Sequence, residues 1–166
     1  DLDRANENRD EVLRRFLASL IDSIRGLITQ QQAQLDALDA GIEAGSLRGL
    51  DADMARLHQN TLGVLDQAAD GPRDAAGIAD HVERAAEAQA AAVVALRDEP
   101  VNHDEVRAQE QLSLDRLNKA LEEAQKIDEQ AEERQQERKR EELKKRYIEA
   151  LEKQVSIKDE TTGLGG

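Results

Sequence analysis

The stretch LRRFLASLIDSIRGLITQQQAQLDAL, residues 13–38, decides the fold. Its stripe runs Leu13, Leu17, Leu20, Ile24 and Leu27, then passes through Gln31 and Gln34 to Leu38. Steps alternating between three and four residues are the period of a helix buried along one side. A strand would alternate at every residue. Ile21, Ile28 and Leu35 lie beside this stripe and widen it to a face that can pack on more than one neighbour.

The same spacing recurs downstream. A second stripe is Leu47, Leu50, Met54, Leu57, Thr61, Val64 and Ala68, and a third is Ala75, Ile78, Val82, Ala85, Gln89, Ala92 and Leu96. A fourth is Leu114, Leu117, Ala120, Leu121, Ala124, Ile127 and Ala131. The breaks between them are compact. Gly41, Gly45, Ser46 and Gly49 cluster between the first two. Asp70-Gly71-Pro72 reads as a helix stop followed at once by a helix start. Asn102 reads as a cap with Glu105 three residues on, and Val101 and Val106 sit at the staple positions. Helices are expected near 3–40, 50–70, 73–98 and 102–157. Four such segments with short links predict an all-α, antiparallel up-down four-helix bundle, with one long antiparallel coiled coil as the alternative.

Composition agrees. The 166 residues include no Cys, no Trp, one Phe (Phe16) and one Tyr (Tyr147), so a sheet has little to pack with and disulfides or Cys-ligated metals are excluded. The longest purely apolar run, Ala90 to Leu96, is far short of the roughly 20 residues of a membrane span. The chain opens Asp1-Leu2-Asp3-Arg4, without Met or an apolar leader, which reads as a segment cut from something longer.

The fourth helix is longer than the bundle needs. Residues 1–131 form the expected body, 132–157 a helical arm and 158–166 a flexible tail. The stretch EERQQERKREE, residues 132–142, has no apolar residue, and the start of the first helix can accompany the fourth only to about residue 142. Beyond it Leu143, Tyr147, Ile148, Leu151, Val155 and Ile157 make an apolar stripe in a shifted phase, with no partner expected in this chain. Charge divides likewise. The formal net charge of −13 resides wholly in residues 1–131, and 132–166 are neutral overall. The root of the arm is basic, through Arg134, Arg138, Lys139, Arg140, Lys144, Lys145 and Arg146.

Candidate chemistry is sparse. The residues three before His58, His81 and His103 are Ala55, Ile78 and Pro100, so the Glu-x-x-His of a di-iron bundle is absent. No Gly-rich phosphate loop or nucleophile elbow occurs. No enzyme activity, cofactor or metal is expected. The basic root has only Tyr147 as a stacking group beside an acidic body, which argues against nucleic acid. Peripheral contact with anionic lipid is a weaker expectation than a solvated, ion-paired helix. The polar stripe residues Gln31, Gln34, Thr61 and Gln89 are expected to fix register, with Gln31 near Thr61 and Gln89 near Ser113. The leading expectation is a non-enzymatic scaffold or spacer that contacts a helical protein partner, or a second copy, through the arm. The other is the head or stalk of a membrane-attached sensor or transport-accessory protein. The compartment is not legible.

Overall fold

A computed structural model describes residues 2–164, with side chains as far as Asp159. Four α-helices follow one another: α1 (Leu2–Ala44), α2 (Leu50–Ala69), α3 (Ala76–Leu96) and α4 (His103–Leu164). They pack as an up-down-up-down bundle, with no strand among the described residues. Polar bridges fix the directions. Arg107 meets Asp39 at 2.7 Å and Arg14 meets Asp128 at 3.0 Å, so α1 and α4 run antiparallel. Asn60 donates to Gln30 at 3.0 Å, and Gln67 to Ser19 at 3.2 Å, which lays α2 back along α1. Arg97 joins the end of α3 to Asp51 at the start of α2, at 3.2 Å.

The links carry their own explanations. Helix α1 passes through Gly41 and ends four residues beyond the expected boundary, at Ala44. The stop is Gly45, at φ 75°, where an L side chain would be strained. The Ser46 N–H donates to the Gly41 carbonyl at 2.9 Å and the Gly45 N–H to that of Ile42 at 3.2 Å, which is a Schellman closure. At the next link, Gly71 answers a packing demand. A Cβ there would run into the ring of Phe16, which covers this end of the bundle. Pro72 does not open α3 directly. It caps one turn of 3-10 helix (Arg73–Ala75), and α3 starts at Ala76. At the last link, Asn102 Oδ1 accepts from the Glu105 N–H at 3.2 Å, and Val101 packs into the cluster that holds Val106.

Core residues follow the stripes. Leu13, Leu17, Leu20 and Ile24 of α1 are buried with Ile78 and Val82 of α3 and Ala120, Ala124 and Ala131 of α4. Leu27, Met54, Leu57, Ala85 and Leu117 continue the core, and Leu38, Ala95 and Val106 close it beside the α1–α2 link. Buried alanines on the inner faces of α3 and α4 let the two helices approach closely. The hairpin of α2 and α3, with 20 and 21 residues, covers only part of α1, with 43, and of α4, with 62. At about 1.5 Å per residue α4 is about 93 Å long. It continues to Leu164, past the boundary expected at 157, because the sequence KDETT after Ile157 contains no helix breaker. Residues 165 and 166 of the expected tail lie outside the described residues.

Candidate functional site

Two features depart from a plain apolar bundle: a buried polar layer and an exposed apolar arm. The layer draws on every helix. Gln31, Thr61, Gln89 and Ser113 have no solvent exposure, and Glu110 has 1%. Gln89 Nε2 donates to Gln31 Oε1 at 3.3 Å, and Gln31 Nε2 points at Met54 Sδ at 3.8 Å. This bond joins α1 to α3 inside the core. Thr61 satisfies its hydroxyl inside its own helix, donating to the Leu57 carbonyl at 3.0 Å, so the amide of Gln31 is left for Gln89. Gln34 is only half-buried, because Leu35 takes the adjoining core position. Gln89 Oε1, Ser113 Oγ and Glu110 Oε2 are buried with no hydrogen-bond partner.

Glu110 was missed by the sequence reading, although the stripe contains it. Counting back from Leu117 in alternating fours and threes gives Ser113, Glu110 and Val106, all buried. Burial, reinforced by the charge of Asp39, pushes the Glu110 carboxyl up to about 7.

Asp10 was missed in the same way. It lies one step before Leu13 on the α1 stripe and is 4% exposed. On α4 the stripe continues from Ala131 to Arg134 and Arg138, so three charged residues meet where apolar ones would otherwise sit. Arg134 donates to Asp10 Oδ1 through Nε at 3.1 Å and Nη2 at 3.0 Å, and Arg138 pairs with Oδ2. Burial pushes the Asp10 carboxyl up, but the two guanidiniums more than offset that and hold it below the usual carboxylate range. Beside it, Arg14 bonds Asp128 at 3.0 Å and Gln135 at 3.1 Å. The polar run 132–142 is thus a second helix–helix seam, closed by ion pairs instead of leucines.

This changes the basic root of the arm. Arg134 and Arg138 are engaged by Asp10, Arg140 lies 3.8 Å from Glu137, and Arg146 bonds Glu142 at 2.7 Å. Lys139, Lys144 and Lys145 are exposed. The seven cations therefore do not form one free patch.

No protein-family model, curated protein or solved structure matches this chain. Function is therefore read from the residues themselves. Among the described residues, no cluster of three or more His, Asp or Glu side chains is arranged to hold a metal. His58 and His81 are half-buried on α2 and α3, each with a buried Nδ1 that has no partner, and His103 is exposed at the start of α4. No helix among the described residues is long and apolar enough to cross a membrane.

The arm is the second feature. Leu143 is 64% exposed, Tyr147 66%, Ile148 45%, Leu151 43%, Val155 58% and Ile157 55%. Ile148, Leu151 and Val155 line a shallow apolar depression edged by Glu152, Ser156 and Asp159. These residues share one side of α4 because they recur at helical spacing.

Proposed function

We propose that the protein is a non-enzymatic helical interaction module, in which the bundle is a spacer and the arm, residues 143–157, is the contact surface. The observation that carries this reading is the contiguous apolar stripe, each of whose six large side chains is 43% to 66% exposed. Single exposed leucines are ordinary on a monomer, whereas a contiguous stripe marks a surface that meets something. Full burial of such a side chain contributes about 1.5–3 kcal/mol, so six half-exposed ones supply roughly 6 kcal/mol from this face. Association itself costs about 4–15 kcal/mol, which a matching contribution from a partner helix offsets in the micromolar range. An amphipathic helix laid against another is the recognition mode this chemistry fits.

The test is Ile148→Glu/Leu151→Glu in the full chain. The thermal transition of the bundle should stay where it is, because both residues lie outside the packed body. Binding of an apolar fluorescent dye should fall several-fold. Unchanged dye binding would show that the arm is not the adhesive surface and would refute the reading.

A further inference from the structure

We propose that the arm's apolar face takes an acidic amphipathic helix of another protein, one whose own apolar stripe carries carboxylates opposite Lys144 and Lys158. This rests on the reading of the arm as the contact surface. The charges seated on the face itself select the occupant.

At about 100° per residue, the six large apolar residues centre between Tyr147 and Leu151, with Leu143 and Val155 about 60° to either side. Among residues 139–159, the charged side chains inside that span are Arg140, Lys144 and Lys158, and all three are exposed cations. The acids Glu141, Glu142, Glu149, Glu152 and Asp159 all lie about 100° or more from the centre. Arg140, at one end of the face, is answered within α4 by Glu137 at 3.8 Å. Lys144 lies seven residues before Leu151 and Lys158 seven after it. The two lysines therefore stand in one column along the helix, about 21 Å apart, and bracket the apolar centre.

This placement sets a second copy against itself. In a parallel, in-register pair Lys144 meets Lys144 and Lys158 meets Lys158. In an antiparallel pair centred on Leu151, Lys144 meets Lys158. Both arrangements close cation on cation where the contact shields charge from water, and like charges there are penalised.

The same placement is wrong for an anionic membrane surface. A helix lying in a headgroup layer carries its cations on the polar side and leaves its apolar centre uncharged. Here lysines stand in the apolar centre and the five acids stand behind it. The net charge of −13 on residues 1–131 adds repulsion from such a surface. A protein helix with carboxylates at matching positions answers both lysines, while their stems and the residues between them pack against its apolar side chains.

The experiment titrates the full chain, up to about 200 μM, into two fluorescein-labelled synthetic helical peptides, followed by anisotropy. The peptides share one leucine stripe and differ at two core positions fourteen residues apart, which are Glu in one and Lys in the other. The Glu peptide should bind in the micromolar range and the Lys peptide roughly tenfold more weakly. Lys144→Glu/Lys158→Glu in the full chain should reverse that order without moving the thermal transition of the bundle. The chain alone should sediment as a monomer over the same range, and should not sediment with vesicles of phosphatidylserine and phosphatidylcholine. No binding of the Glu peptide, or an order that the variant does not reverse, overturns the proposal. So does a wild-type dimer, which makes a second copy the occupant, or capture by the vesicles, which makes it a membrane. Equal binding of both peptides that is lost in Ile148→Glu/Leu151→Glu overturns the charge selection and leaves the arm as the contact surface. Dye binding that ignores Ile148→Glu/Leu151→Glu refutes the arm itself.

Discussion

Glu110 makes the bundle sensitive to pH near neutrality, and Glu110→Gln measures by how much. The carboxyl moves from an ordinary value of 4.5 to about 7 on folding. A raised carboxyl pKa means that the folded state binds the proton more tightly than the unfolded chain. Its contribution is therefore favourable when both states are protonated, below 4.5, and is lost as pH rises from there through 7. A shift of this size, at about 1.4 kcal/mol per unit, amounts to about 3 kcal/mol by pH 8 and about 1 kcal/mol at pH 5. The amide keeps the shape of the neutral acid without its titration. Urea unfolding at pH 5, 6, 7 and 8, followed by circular dichroism, should show a difference between wild type and Glu110→Gln that widens with pH. The variant should be the more stable by about 3 kcal/mol at pH 8. The charge that acts on Glu110 is that of Asp39 on α1, whose carboxylate is also bound to Arg107 at 2.7 Å. The difference between the two chains keeps the repulsion by Asp39 along with burial and cancels the titration of groups the chains share. A difference that stays constant from pH 5 to pH 8 would refute the burial argument and show that water reaches the carboxyl.

Asp10→Asn should destabilise the seam between α1 and α4 by about 2–4 kcal/mol, because it leaves Arg134 and Arg138 without their carboxylate; hydrogen exchange should accelerate at residues 8–14 and 130–140 first. Gln31→Leu should destabilise by about 1–3 kcal/mol, since the Gln89 amide loses its acceptor, whereas Gln31→Leu/Gln89→Leu should be neutral or stabilising by thermal melt. Gly71→Ala should lower the melting temperature by forcing the Phe16 ring aside, a cost of about 1–3 kcal/mol, and Phe16→Leu in the same chain should recover part of it.

Much of the fold was legible because the stripes are long and their spacing is regular. Leu13 to Leu27, and Ala75 to Ala92, need no tertiary information to be placed inside. The links were read less well, for reasons specific to each. Several glycines compete near residue 45, and only hydrogen bonding selects Gly45. Gly71 reads as a helix stop in sequence, but its requirement comes from Phe16, 55 positions away. Asp10 and Glu110 were overlooked for one reason. Carboxylates are normally exposed, so the expectation for their residue type overrode the spacing that placed both on the seam. Asp10 is buried with two arginines, which local sequence could have suggested from Arg134 and Arg138 continuing the α4 stripe. Glu110 is buried without a cation, and only spacing pointed to it.

The position of Glu110 relative to the arm has a further consequence. The two lie on the same helix, with Leu143 33 positions beyond Glu110, about 50 Å along the axis. Groups so far apart that share no partner contribute additively. The carboxyl that governs acid response belongs to the end near the α1–α2 link, and the residues offered to a partner belong to the other. Variants at one end can therefore be combined with variants at the other without cross-terms. The molecule is in effect a rod with separately adjustable ends, one setting how firmly it holds together and the other what it joins.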